Sequence, residues 1–225
     1  MRGPGAVRGQ STVEFVLIAP ILILLLAAVA DFGRVFATGI AVEAATRNAA
    51  EVVAEDYIRN PPGDLTLTPH DRLAAPAPAS GYSSYYNDLA VKAARTVCVE
   101  LRSLPNTTYS SADGSCPSWP LIRVCIHDQT SNTGSNQCDQ PITPGFDASP
   151  PAECTAMPAP GDPTWNPTMT GGTETSRYVE VRVCYPFTTI LNLPIVPSRI
   201  VFQDTRTFTI ACFQDPSAAG NNGSC

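Results

Sequence analysis

One uninterrupted apolar segment dominates the hydrophobic pattern of the chain. No residue from Phe15 to Ala30 carries a charged or polar side chain, and no other segment of this length is as apolar. As a helix, the sixteen residues of this segment rise about 24 Å, which is short of the roughly 30 Å hydrocarbon core of a bilayer. Val13 and Phe32 extend the apolar length on either side. The pattern therefore predicts a membrane helix with little or no tilt.

The helical pattern continues beyond the apolar segment. Charged residues four positions apart follow one face: Glu43, Arg47 and Glu51. The segment 60–63, Asn-Pro-Pro-Gly, ends the pattern. A single helix from Val13 to Ile58 is about 69 Å long, so we expect one half in lipid and one half as a projecting stalk. One face of the stalk is rich in alanine: Ala41, Ala44, Ala45 and Ala49. This face predicts plain helix packing, and a contact between subunits is the alternative.

Proline-rich segments separate the remaining elements. Residues 61–84 are predicted as a linker, because five prolines lie there among small and polar residues. A small extracytoplasmic head is predicted over 85–215, interrupted by a long, irregular, proline-rich insertion over 130–172. Residues 216–225 are predicted as a flexible tail.

Periodic patterns within the head predict an α+β fold. Apolar side chains at helical spacing from Leu89 to Leu104 predict a second helix. Period-two alternation predicts strands over Leu121–His127 and Tyr178–Tyr185. A third strand is predicted over 200–212, with a break near Asp204. We therefore expect the second helix to lie on an antiparallel sheet.

Charge is divided unevenly along the chain. Residues 1–30 contain Arg2, Arg8 and Glu14 for a net charge of +1, so the remainder carries −7 of the total of −6. The two arginines ahead of the apolar segment fit the positive-inside rule, which places the N-terminus in the cytoplasm and the acidic remainder outside. An acidic exterior argues against nucleic acid or anionic lipid as a partner.

Every cysteine follows the apolar segment, as an oxidising compartment permits: Cys98, Cys116, Cys125, Cys138, Cys154, Cys184, Cys212 and Cys225. We interpret them as up to four disulfides, although eight cysteines allow too many connectivities for their number to fix the pairing. No two have C-x-x-C spacing, and His70 and His127 are the only histidines. We therefore expect no metal site and no other cofactor.

Three disulfide pairs are suggested by position in the predicted elements. One would bridge neighbouring strands, one would pin the insertion and one would hold the tail: Cys125 with Cys184, Cys138 with Cys154, and Cys212 with Cys225.

No catalytic motif occurs in the chain. It contains no G-x-S-x-G, H-E-x-x-H, phosphate-loop or dinucleotide-binding sequence. His127 beside Asp128, with serines nearby, is the only partial set for a catalytic triad, and serines are too common in such loops to support one. We therefore expect a protein that is not an enzyme.

Two processing signals compete at the apolar segment. Residues 28–30, Ala-Val-Ala, fit the small-residue pattern of signal peptidase, and cleavage there would release a soluble protein beginning at Asp31. Gly9, followed five residues later by Glu14, has the layout of a prepilin cleavage site. An uncleaved membrane anchor is the third alternative.

The N-terminal segment resembles the TadE-like family of pilin-related proteins of tight-adherence (Tad) pilus and secretion systems. The resemblance is carried by the segment 44–50 and by seven single residues ahead of it: Glu14, Phe15, Pro20, Asp31, Phe32, Gly33 and Arg34. It covers residues 9–55 well and returns weakly over Val179–Phe187 and in the apolar connection Leu191–Pro197.

The resemblance implies cleavage between Gly9 and Gln10 by a membrane-embedded prepilin peptidase, which leaves the helix on the mature protein. The new amino group of Gln10 and the carboxylate of Glu14, next to Phe15, then lie one helical turn apart at the membrane edge. There each neutralises the other or a charge on a neighbouring subunit.

The resemblance also implies a function, that of a minor pseudopilin in a Tad-type (Flp) pilus or secretion apparatus. Such a subunit is a single-pass protein of the inner membrane with a cytoplasmic N-terminus. Its partners are the lipid bilayer, other pilin-like subunits and the inner-membrane Tad assembly platform. The alternative is a membrane-anchored or secreted, disulfide-rich binding protein that an N-terminal signal anchor delivers.

Overall fold

A computed structural model describes residues 10–74, 82–127, 140–142, 154, 177–190 and 198–210. These ranges contain three helices and four strands: α1 Gln10–Arg59, α2 Pro69–Ala74, α3 Ser83–Leu101, β1 Leu121–His127, β2 Gln140–Ile142, β3 Arg177–Thr188 and β4 Arg199–Ile210. The leader of residues 1–9 that the predicted prepilin cleavage would remove, most of the predicted insertion and the predicted tail lie outside the described residues.

α1 is one continuous helix of 50 residues, about 75 Å long. It passes through Pro20, which removes one backbone hydrogen-bond donor from the helix. It ends at Arg59 because the residue before Pro61 is disfavoured in a helix, and Gly63 then adopts a φ of 135°, which residues with a side chain rarely take. The long N-terminal apolar helix predicted from the sequence is thus confirmed.

The strands form one antiparallel sheet in the order β2-β1-β3-β4. Because side chains alternate along a strand, β1 and β3 each turn one apolar row toward the helices. These rows are buried: Ile122, Val124 and Ile126 on β1, and Val179, Val181, Val183, Tyr185 and Phe187 on β3. The predicted α+β fold, with a helix on an antiparallel sheet, is confirmed.

The core lies between this inner face of the sheet and the helices. The second half of α1 contributes mostly small side chains: Val42, Ala45, Ala49, Ala50, Val53, Ala54 and Tyr57. α3 adds a buried row at helical spacing: Leu89, Ala90, Ala93, Val97 and Leu101. Alanine lets the helix axes approach closely, so plain packing accounts for Ala45 and Ala49, whereas Ala44 is exposed.

The structure corrects the predicted third strand of the head and the segments predicted as linker and insertion. β4 runs without a break from Arg199 to Ile210. Asp204 is accommodated because its Oδ2 accepts a hydrogen bond from Nε of Arg206 at 3.2 Å, and Arg206 in turn pairs with Glu43 of α1. Regular structure also occurs where irregular chain was predicted, since α2 lies within 61–84 and β2 within 130–172.

Candidate functional site at the junction of helix and head

The first half of α1, residues 10–40, is here called the membrane half. Its large apolar side chains are exposed on every side of the helix: Val13, Phe15, Val16, Leu17, Ile18, Ile21, Leu22, Ile23, Leu24, Leu25, Leu26, Val29, Phe32, Phe36 and Ile40. Within the described ranges, α1 is the one helix long and apolar enough to cross a membrane. The chain is therefore compatible with a single-pass membrane anchor.

The predicted cleavage and pairing residues lie at the start of this half. Gln10 is the first residue of α1, and Gly9 lies outside the described residues. Glu14, Phe15 and Pro20 are exposed on the helix. Glu14 follows Gln10 by four residues, a rise of about 6 Å. The proposed pairing of its carboxylate with the amino group of Gln10 stays a prediction.

Asp31 ties the membrane half to the head. Its side chain is almost buried, with 7% of the residue exposed. Its carboxylate accepts a hydrogen bond from the backbone N–H of Ile190, with N···O distances of 3.1 Å and 3.3 Å to its two oxygens. Arg34, one turn later on the same helix, lies 3.6 Å from Oδ1. The carboxylate is thus neutralised where the apolar segment ends.

Arg34 extends this junction toward the sheet. Its guanidinium lies 5.2 Å from the centre of the Phe187 ring, a cation–π distance. Phe187 is buried near the end of β3 and meets the ring of Phe202 on β4 edge-on, with centroids 6.3 Å apart. The ion pair on α1 is therefore packed against the end of β3, and Phe187 connects it to β4.

Gly39 lets α1 lie close to β4 beside this junction. A Cβ atom at Gly39 would meet the Phe202 ring at 3.3 Å, a tight contact from which the ring would have to shift by a few tenths of an ångström. A groove of about 390 Å³ remains between the two elements. Apolar side chains of α1 form one wall: Val35, Phe36, Ile40 and Val42.

The other residues of the resemblance, Phe32 and Gly33, turn away from the head. Phe32 is exposed and lies 5.7 Å from Phe36, centroid to centroid. Apart from the neighbouring residues and backbone of α1 itself, no atom of the described residues lies within 4 Å of the position that a Cβ atom would take at Gly33. Of the predicted family residues in this region, the structure therefore brings Asp31 and Arg34 to the head and leaves Phe32 and Gly33 on an open surface of α1.

The described disulfides differ from the suggested pairs. Cys98 is bonded to Cys116, and Cys154 to Cys184. The suggested pairs of Cys125 with Cys184 and of Cys138 with Cys154 are therefore wrong. In the strand register Cys125 lies opposite Glu180, four residues from Cys184, or about 13 Å along the strand, whereas a disulfide needs Cα atoms within about 7 Å.

The remaining cysteines are only partly described. Cys125 is disulfide-bonded to a partner outside the described residues. Cys138, Cys212 and Cys225 also lie outside them, so the suggested pair of Cys212 with Cys225 stays a prediction.

A buried charged cluster lies on the opposite face of the sheet, away from α1. Glu180 is fully buried, and its Oε1 accepts hydrogen bonds from Arg182 at 2.5 Å and 2.6 Å. Nε2 of His127 lies 3.2 Å from its other oxygen, and the His127 ring stacks on Tyr178 at 4.1 Å. His127, considered above for a triad, is therefore part of an ion cluster that joins β1 to β3.

This cluster shifts the pKa of Glu180. Burial alone would raise the pKa, because a carboxylate loses its hydration there. The hydrogen bond from His127 and the charge of Arg182 outweigh burial, so the pKa of Glu180 lies below its ordinary value of 4.5. The carboxylate is therefore charged at neutral pH, and its hydrogen bond with His127 joins β1 to β3, while its bonds with Arg182 lie within β3.

The contact between Asp31 and Ile190 was missed from the sequence. The two residues are 159 positions apart, and no periodic pattern connects them. The weak echo of the family near Val179–Phe187 and Leu191–Pro197 was the only signal that pointed to this hairpin, and it did not name a contact.

Comparison with known families confirms the resemblance for the first part of the chain. Residues 9–51 match the family model of TadE-like proteins. The match ends within α1 and includes Asp31 and Arg34. It supports a pilin-like protein related to Tad pili. No curated protein and no solved structure matches the chain.

Proposed function

We propose that this protein is a minor pilin-like subunit of a Tad-type pilus or secretion apparatus, which works by assembly and not by catalysis. A prepilin peptidase cuts between Gly9 and Gln10, and α1 remains as a membrane anchor with its N-terminus in the cytoplasm. The head is displayed on the outer side of the inner membrane. Its partners are other pilin-like subunits and the membrane platform that assembles them.

One observation supports this proposal, namely an apolar row on α1 that continues past the uncharged segment Phe15–Ala30. Phe32, Phe36 and Ile40 are spaced four residues apart and therefore lie on one face of the helix. Phe36 is 64% exposed and Ile40 is 68% exposed. Ile40 lies about 15 Å beyond Ala30, which ends the uncharged segment, so lipid tails do not cover it.

The head leaves this row uncovered although it covers the opposite face of the same helix. Val42, Ala45 and Ala49 are buried against α3 and the sheet. An apolar row that begins in the membrane and continues into the extracytoplasmic part of a helix fits a neighbouring helix of the same kind. Such packing explains why the row is long, while a simple anchor needs apolar side chains only as far as the lipid extends.

Substitution within the row tests the proposal. We expect Ile40→Asp to remain in the membrane fraction and to keep its unfolding temperature, because the residue is exposed in the isolated subunit. Recovery of the variant with other pilin-like subunits of its native host, and assembly of the pilus, should be lost. Val99→Asp is the matched control, since Val99 is an exposed branched aliphatic residue on α3. Assembly of Ile40→Asp as efficient as that of Val99→Asp would exclude the row as a subunit contact.

The N-terminus of the protein from the same preparations tests the processing step. A mature chain that begins at Gln10 supports prepilin cleavage. A chain that begins at Asp31 would remove the anchor and contradict the proposal, and one that begins at Met1 would favour the alternative of an uncleaved anchor that delivers a binding domain.

A further inference from the structure

The last described residues of the β3–β4 hairpin lie beside α1 at the point where the apolar segment ends. Thr189 donates its backbone N–H to the carbonyl of Ser198 at 3.1 Å, which continues the pairing of the two strands beyond Thr188 and Arg199. The next residue, Ile190, donates to the carboxylate of Asp31. The hairpin end, defined here as residues 188–190 with 198 and 199, is therefore fixed to the first residue after the uncharged segment.

The length of the apolar segment sets the depth of this contact in a bilayer. The segment rises about 24 Å in a hydrocarbon core of about 30 Å. If the apolar segment is centred in the hydrocarbon core, the outer edge of the core falls near Phe32. If the helix is tilted, or if the inner edge of the core lies at Glu14, the outer edge falls farther along α1. The headgroup layer then extends roughly 5–7 Å beyond. Asp31 and the backbone of Ile190 lie within these limits.

The side chains at the hairpin end suit this environment. Ile190 is 70% exposed, and an aliphatic side chain at this depth is stabilised by hydrocarbon. Arg199, opposite Thr188 in the strand register, is exposed, and its guanidinium lies 5.7 Å from the centre of the Trp119 ring. Tryptophan is enriched at membrane interfaces, and arginine reaches from apolar surface to charged headgroups.

We infer that the hairpin end is a lipid-contacting surface, in which Ile190 enters the edge of the hydrocarbon and Arg199 with Trp119 lies among phospholipid headgroups. The head is then held against the bilayer at two places, α1 and the hairpin end, and is not carried above it on a free stalk. The contact also explains why the carboxylate of Asp31 is buried and neutralised by Arg34, since a bare charge at the hydrocarbon edge is costly. The inference rests on the membrane placement of α1 in the proposed function, but it does not depend on pilus assembly.

Tryptophan fluorescence of the full chain in phosphatidylcholine vesicles tests the inference. In a Trp119→Phe, Trp165→Phe background, a single tryptophan is introduced at an exposed aliphatic position. The positions are Ile190 at the hairpin end, Leu24 within the membrane half and Leu65 beyond the far end of α1. Arg59, which ends α1, lies about 42 Å of helix from Asp31, so Leu65→Trp is the matched control outside the bilayer.

We expect lipids brominated near the headgroup to quench Ile190→Trp and to leave Leu65→Trp unquenched, while aqueous acrylamide does the reverse. Quenching of Leu24→Trp by lipids brominated deep in the chain shows that α1 is inserted. If Leu24→Trp is quenched and Ile190→Trp is not, the head stands clear of the membrane and the inference is wrong, although the anchor is kept. If Leu24→Trp is not quenched either, the membrane placement itself fails.

A second variant avoids any change at the hairpin end. In the Trp165→Phe chain, Trp119 is the only tryptophan left. Its emission is compared in vesicles and in detergent-free buffer that contains a non-lipid amphipathic polymer. We expect the emission maximum to lie at shorter wavelength in the vesicles. Identical emission in the two environments contradicts a contact between Trp119 and the headgroups.

Discussion

The two halves of α1 belong to one helix but need different surroundings to bury their apolar side chains. In the membrane half, large residues such as Leu22 and Leu24 are exposed on all sides, so only lipid or neighbouring helices can cover them. In the second half, residues 41–59, Ala49 and Val53 are buried in the head while Arg47 faces solvent. We call this second half the head-packed half.

The two halves differ in which of their stabilising interactions the chain itself supplies. The head-packed half has a 3.6-residue period because one face meets α3 and the sheet. The apolar segment Phe15–Ala30 has no such period, as expected for a helix that lipid surrounds on every side. Disruption of the head should therefore destabilise the head-packed half and leave the membrane half helical in a bilayer.

The largest effect is expected from a charge on the buried face of the head-packed half. Ala49 is completely buried, and an unpaired buried carboxylate costs about 3–5 kcal/mol. We expect Ala49→Asp to lower the free energy of unfolding of the head by an amount of this order, measured by chemical denaturation in detergent. Ala44→Asp, the same change on the exposed face of α1, should cost less than about 1 kcal/mol.

Equal losses in the two variants would contradict the assignment of one buried face. Loss of helical structure in the membrane half of Ala49→Asp, measured by hydrogen exchange of residues 15–30 in vesicles, would contradict the independence of the two halves.

A smaller effect is expected from acid acting through Glu180. Because the folded-state pKa of Glu180 lies below its ordinary value of 4.5, the carboxylate stabilises the head above about that pH and loses its contribution as the pH falls further. Its hydrogen bonds to charged partners are worth about 1.5–3 kcal/mol. We expect Glu180→Gln to unfold at lower temperature than the wild type at pH 7, and the difference to shrink below about pH 4.5.

The same titration distinguishes the two halves of α1. As the head weakens in acid, amide protection should fall first in residues 42–57 and persist in residues 15–30. A difference between wild type and Glu180→Gln that is constant from pH 7 to pH 3 would show that the carboxylate does not stabilise the fold through its charge.

Local patterns in the sequence were sufficient to predict α1, the second helix and the inner faces of β1 and β3. Each depends on a period or on a stop signal, such as Pro61, that acts within a few residues. Disulfide pairing was not predictable in this way, because the distance from Cys125 to Cys184 depends on the register of two strands 50 residues apart along the chain. The contact of Asp31 with Ile190 depends in addition on how the finished sheet lies against α1.

The smallest effect on global stability is expected at the junction of the two halves, where Asp31 accepts the hydrogen bond of Ile190. Asp31→Ala leaves that backbone N–H without its acceptor, which costs about 1–3 kcal/mol at a buried site. The cost falls on one contact, so we expect amide exchange at Ile190 to accelerate about 10- to 100-fold, while residues buried in the centre of the sheet, such as Val181, change little.

Asp56→Ala is the control for this junction, because Asp56 pairs with Lys92 at 2.8 Å between α1 and α3 but at the surface. An exposed pair of this kind contributes about 0.2–1 kcal/mol, and its loss should leave Ile190 protected. Unchanged protection of Ile190 in Asp31→Ala would show that the hairpin is held to α1 by packing of Phe187 and Phe202 alone. In that case Asp31 would mark the end of the membrane half without fastening the head to it.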